Sequence, residues 1–221
     1  MFKQKIIDSA QMGNVSDIKI NPADNYGRWN DDNSGKLYPQ HYYEYLQNIT
    51  KEEKLNLVFT AKDNPNGEKF ALHPDNDIEK INAYIKEKAP KGALFYVSKK
   101  DMDVAVPAIH AGLQKELRDA VRNFDISAIR GSLNDFLYES IDPQYPQALT
   151  GLLEPIELLV QSFRGNPAKL LEIIKGSPRD NTLATNILDT TLCTMAFLMF
   201  CRVQDKAAAS SLTALLANAG A

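Results

Sequence analysis

Histidine, cysteine and tryptophan are scarce in this chain of 221 residues, with three, two and one of them respectively. The histidines, His41, His73 and His110, all fall in the first half, so nothing after residue 110 offers an imidazole to a transition metal. No Gly-rich phosphate loop, no G-x-S-x-G elbow and no cysteine pair at metal-ligand spacing occurs, which removes the most readable signatures of phosphate binding and acyl transfer. Cys193 and Cys201 stand eight apart within one expected helix, on similar faces and about 12 Å apart by helical rise, beyond disulfide reach of each other. They are expected to be two reduced core thiols of a cytoplasmic protein. Excess positive charge is also missing: 25 Lys and Arg stand against 28 Asp and Glu, and they are dispersed. No nucleic-acid footprint follows from a net charge of -3. Long apolar runs are missing too. The best membrane candidate, 187–203, carries Asp189, Thr190, Thr191, Thr194 and Arg202, and is too short and too polar to span. The opening MFKQKIIDSAQMGN has no continuing apolar run, so it reads as neither a secretory signal nor a membrane anchor.

What is present is the composition of an ordinary globular protein, 44% hydrophobic and 24% charged, long enough for one domain or two small ones. Residues 1–12 suit a short helix and 16–20 (SDIKI) alternate like a strand, before the turn-rich NPADNYGRWNDDNSG at 21–35. Trp29 sits alone there, favoured as a plug over a core edge above a ligand platform. Residues 37–49 gather Tyr38, Tyr42, Tyr43 and Tyr45 around His41. Such a cluster serves either as a binding face or as a half-buried helix or strand against a sheet, with His41 structural. A hairpin follows, LNLVFT at 55–60 and KFALH at 69–73 around the turn residues Asp63 to Gly67. Asp75, Asn76 and Asp77 then cap a helix bearing Ile78, Ile81, Tyr84 and Ile85, and ALFYV at 93–97 reads as a strand.

From Asp101 onward the pattern is helical. Residues 102–124 carry an apolar stripe of Ile109, Leu113, Leu117, Ala120, Val121 and Phe124, with Pro107 expected to kink or delay the start. Helices over 127–139, 149–163 and 167–174 are separated by short Pro and Gly breaks, as in an up-and-down bundle. The fold class expected is therefore α+β: a small mixed module with a loop-rich start over 1–100, then a helical bundle over 101–221. The C-terminal stretch reads as two helices, 183–203 and a second after Gln204. The first is apolar on nearly every face, through Leu192, Met195, Phe197 and Phe200, as a central helix surrounded by others would be.

That stretch resembles the opening of the HD-GYP domain, a family of metal-dependent cyclic di-GMP phosphodiesterases. Asp180 stands in the family's leading position, Asn186 falls where the first His is expected, and ALLANAGA at 214–221 falls on the family's Ala-Leu-Leu-His-Asp-Ile-Gly-Lys. On this alignment Ala217 replaces a ligand His and Asn218 a ligand Asp. An equally fair reading is that the chain ends just before a His-Asp pair. Upstream, FYVSKKD at 95–101 resembles the junction between the strand of many HD-GYP N-terminal domains and the long helix after it. The resemblance covers roughly 37–221 and implies an HD-like bundle whose metal-ligand positions are degenerate or absent.

Phosphodiester hydrolysis of that type needs several His and carboxylate ligands converging on metal ions. Asn186 alone, a weak carbonyl ligand, does not replace an imidazole. The resemblance together with the missing ligands implies a non-catalytic signalling or regulatory protein, acting by dimerisation or partner binding in a cyclic di-GMP-related system and requiring no cofactor. The alternative is the regulatory N-terminal part of a longer cyclic-dinucleotide phosphodiesterase. A bundle ending at Ala221 would leave 192–200 uncovered, so a symmetric homodimer is expected with Leu212, Leu215 and Leu216 near the contact. Arg164, Arg179 and Asp180 could touch a phosphate, but charges at helix ends are the favoured reading.

Overall fold

A computed structural model describes residues 35–52, 55, 57–61, 64–72, 78–140, 142, 145–176 and 183–219. The helix expected at 1–12, the strand at 16–20, Trp29, His73, Arg179 and Asp180 lie outside these residues. Among them the chain is α+β, with four strands, β1 (Gly35–Pro39), β2 (Leu57–Ala61), β3 (Asn64–Leu72) and β4 (Ala93–Ser98). The helices are α1 (Tyr43–Glu52), α2 (Ile78–Lys88), α3 (Met102–Asn123), α4 (Ile126–Ser140), α5 (Leu153–Phe163), α6 (Ala168–Lys175), α7 (Leu183–Phe200) and α8 (Asp205–Ala219). The chain divides into two compact units, Met1–Ile109 and His110–Ala221.

In the first unit the strands form one antiparallel sheet in the order β1-β4-β2-β3. Register explains the tyrosine-rich segment. Tyr38 pairs with Phe95, and Phe95 with Phe59, so one face of three adjacent strands carries a row of aromatic rings. Ring centroids lie 5.7 Å apart for Tyr38 and Phe95 and 5.6 Å apart for Phe95 and Phe59. Tyr43 of α1 meets Phe59 edge-on at 5.7 Å. Tyr38, Tyr42 and Tyr43 are all fully buried. These rings are core: cross-strand aromatic pairs of this kind are the units that stabilise a sheet. Gly35 opens β1 because a Cβ there would collide with the Tyr96 ring and the Val97 carbonyl.

Of the turn expected at Asp63 to Gly67, residues 64–67 lie within β3, and β2 and β3 reverse between Ala61 and Asn64. Ala61 pairs with Asn64, while Thr60 pairs with Lys69, so the Pro-Asn-Gly residues sit in an irregularity within β3 rather than at the hairpin tip. Pro and Gly suit such a site because they weaken a regular ladder.

Two helix starts tolerate proline without delay. Pro107 lies inside α3 on its exposed side, and α3 still begins at Met102. Pro155 occupies the third position of α5, where its missing N–H would have had no intrahelical acceptor. The ends of α3 and α7 share one device. Phe124 and Arg202 take φ of 50° and 56°, and the following N–H groups of Asp125 and Val203 reach back to the carbonyls of Ala120 and Leu198. This is the Schellman closure, made here with side-chain-bearing residues where glycine is usual.

The second unit is bundle-like. Helix α5 packs on α8, α6 and α4 on α7, and α7 on α8. Its buried residues include Leu133, Phe136, Leu159, Phe163, Leu188, Leu192, Met195 and Leu212. The expectation that α7 is covered on nearly every face needs correction. Leu192, Met195 and Ala196 are buried, but Phe197 and Phe200 remain 63% and 59% exposed. Cys193 and Cys201 are exposed as well, so they are not core thiols.

Candidate functional site

Two places in the second unit gather side chains whose chemistry the packing does not explain. The first is polar. His110 and Gln114 project one helical turn apart from α3, toward α4 and the 3-10 segment Pro146–Leu152 that precedes α5. The His110 ring lies 5.8 Å from Phe136 by centroids, and its Nε2 stands 3.5 Å from Ser140 Oγ. Gly151 lies against the other edge of that ring, where any Cβ would strike Nδ1. Gln114 Nε2 donates to the Glu154 carbonyl at 3.4 Å, and its Oε1 is buried without a protein partner. On α4, burial first, then the negative charges of Glu139 and Glu116, push the Asp135 carboxyl up to about 7.

A histidine beside a serine, with a proton-holding carboxyl on the same helix as that serine, has the residue types of acid-base chemistry. Ser140 is fully buried, and 3.5 Å is long for proton transfer between it and His110. Among the described residues no group of three or more His, Cys, Asp or Glu is placed to hold a metal ion. The cluster forms a polar seam in which Gln114 and Ser140 are buried and His110 and Asp135 are half-buried.

The second place is apolar and faces solvent. On α7 and its cap, Asn186, Thr190, Cys193, Phe197, Phe200 and Cys201 are all exposed. At 100° per residue they fall within one stripe about 100° wide, and none of them carries a charge. Thr194, beside the stripe, turns its hydroxyl back onto the Thr190 carbonyl at 2.8 Å, so its polar atom is satisfied within the helix. The exposed face of α3 is the opposite, with Lys115, Glu116, Arg118, Asp119 and Arg122 in the solvent.

Besides its apolar packing, α7 is tied to its neighbours by an ion pair that the sequence pattern does not reveal. Arg130 of α4 donates to Asp189 of α7 at 2.7 Å and to the Ile173 carbonyl of α6 at 3.2 Å. One guanidinium thus ties three helices, with its own side chain 9% exposed and that of Asp189 27% exposed. The signal was present in the sequence as a cation next to Ile129 on an apolar stripe and an acid inside an apolar helix. Only the tertiary contact couples them.

The residues singled out from sequence are dispersed. Asn186 is exposed on the first turns of α7. Ala217 and Asn218 fall in the last turns of α8, where their side chains, like that of Leu216, are outside the described residues. Leu212 is fully buried inside its own unit, and Leu215 is 38% exposed. Arg164 at the end of α5 binds Asp205 at the start of α8, 2.9 Å away, as a pair of helix-end charges. No helix among the described residues is long and apolar enough to cross a membrane. No family model, no curated protein and no solved structure matches the chain.

Proposed function

We propose that the chain is a non-catalytic interaction protein that self-associates through the exposed face of α7. The observation that carries this reading is the pair Phe197 and Phe200, 63% and 59% exposed on an uncharged stripe. Reburying a large apolar side chain gains roughly 1.5 to 3 kcal/mol, so two half-exposed rings together supply about 2 to 4 kcal/mol toward association. Interface centres are depleted in charge and enriched in aromatics, as this face is. A regulatory setting related to cyclic di-GMP comes from the resemblance of the C-terminal helices to the HD-GYP opening, and the lack of histidine after residue 110 supports a role without hydrolysis.

Sedimentation equilibrium over a wide range of concentration tests the association. The wild-type chain is expected to dimerise, and Phe197→Glu to shift it to monomer by placing like charges in a dehydrated centre. A wild-type chain that stays monomeric at high concentration overturns the reading.

A further inference from the structure

The exposed stripe of α7 has an internal symmetry that selects one way for two copies to meet. Phe197 is the more exposed of its two aromatic rings, and Cys193 and Cys201, both exposed, lie four positions to either side of it. On the helical wheel they fall about 40° to opposite sides of Phe197, each about 6 Å from it along the axis. Cys201 belongs to this geometry although it is the cap, because its N–H still donates to the Phe197 carbonyl at 2.9 Å. Resting on the self-association proposed above, we infer that a second copy docks antiparallel, face to face on α7, with the two-fold axis passing beside Phe197.

A two-fold axis between antiparallel helices carries each position onto the one equally far beyond the centre. It therefore sets Cys193 opposite Cys201 of the second copy, and Cys201 opposite its Cys193. At the usual 8 to 10 Å between packed helices, the two Cα atoms of each such pair come about 6 Å apart. That lies inside the roughly 4.4 to 6.8 Å span that a disulfide requires. Like pairs, Cys193 with Cys193 or Cys201 with Cys201, stay about 12 Å apart along the axis and cannot bond. A parallel pair of helices would reverse the two outcomes.

The occupant is a second copy because the stripe answers to itself. From Asn186 to Cys201 its exposed positions hold no charge, so turning the face onto its own image creates no like-charge contact. The same operation brings the two Phe197 rings together at the centre and sends each Phe200 toward Thr194 of the other copy, whose hydroxyl is already bonded to its own Thr190 carbonyl. Self-complementarity of this kind is what an isologous interface demands.

The native cysteines report the geometry. With oxidised glutathione as oxidant, two thiols give one protein disulfide while the glutathione disulfide leaves as two thiols, so electrons and protons balance. The wild-type chain is expected to give an intermolecular peptide joining Cys193 to Cys201. Cys193→Ser alone and Cys201→Ser alone are each expected to lose the cross-link, and an equimolar mixture of the two variants to regain it. Cross-linking of either single variant with itself overturns the antiparallel register. So does a dimer that forms no cross-link in any sample. Sedimentation of the reduced protein separates the two failures: a dimer with the wrong pairing sinks only this geometry, and a monomer sinks the self-association as well.

Discussion

The two units treat their large apolar side chains in opposite ways. Among the described residues, the six large apolar side chains left exposed are Tyr138, Leu153, Leu171, Phe197, Phe200 and Leu215, and all lie beyond Ile109. The sheet unit hides its own. There, register sets aromatics against one another across neighbouring strands, as Tyr38, Phe95 and Phe59 show. A helix has no comparable partner rule: its stripe is covered only if a neighbour of the right length lies alongside. Helix α7 has α4, α6 and α8 on its buried sides and none of them over Phe197. Among the described residues, the large apolar side chains left in solvent thus belong to the helical unit, and it is there that the proposed self-association is placed.

The largest effect that would break this comparison is in the aromatic row. Phe95→Ala removes a fully buried ring in contact with Tyr38, Phe59 and Tyr43, and is expected to cost about 3 to 5 kcal/mol of unfolding free energy. Phe197→Ala, an equal truncation, should change the stability of the monomer by less than about 0.5 kcal/mol. Urea unfolding at low protein concentration checks both. Similar losses at the two positions would mean that Phe197 is covered within its own chain.

How much of this could be read from residues alone follows the same division. The α+β order, most helix boundaries from Met102 onward and the strand Ala93–Ser98 were legible, because periodicity and Pro or Gly breaks are local signals; the helix expected from 149 starts only at Leu153, after the 3-10 segment Pro146–Leu152. The strand Gly35–Pro39 was not. GKLYP has no clean alternation, since both faces of the strand are buried, and only pairing with β4 declares it. In α7 an apolar composition all round read as burial all round. Local sequence reports how apolar a helix is and not how many neighbours it has, so the exposure of Cys193, Phe197, Phe200 and Cys201 was invisible. The homodimer expectation named Leu212, which packs inward; the exposed face of α7, with Phe197 at its centre, is now where the contact is proposed.

A second, smaller effect concerns the clamp beneath that face. Arg130→Met leaves the Asp189 carboxylate without its guanidinium and the Ile173 carbonyl without that donor. Breaking a buried pair costs about 3 to 5 kcal/mol, and the partial exposure of Asp189 brings the expectation down to about 2 to 3 kcal/mol. Adding Asp189→Leu should recover most of that loss, because no buried charge is then left alone. If the double variant is no better than the single, the pair contributes through shape and not charge, and the contrast between a charged clamp below and an uncharged face above loses its meaning.

The smallest effect sharpens the comparison through pH. Asp135 has its pKa raised from the ordinary 3.8 to about 7, by burial first and then by Glu139 and Glu116. With the folded value above the unfolded one, the folded chain holds more protons between about pH 4 and 7, so this group makes stability fall as pH rises through that window. From about pH 5 to about pH 7 the expected loss is about 2 kcal/mol, complete only above the folded pKa. Asp135→Asn keeps the neutral, hydrogen-bonding shape of the protonated acid and has nothing to ionise. The variant should therefore match the wild type near pH 4 and become progressively more stable than it as the pH approaches 8. Asp135 belongs to the second unit, so the slope should vanish from probes of that unit, such as the fluorescence of a label on Cys193. An unchanged slope in Asp135→Asn would show that the carboxyl ionises normally, and that the seam between α3 and α4 is wetter than its packing indicates.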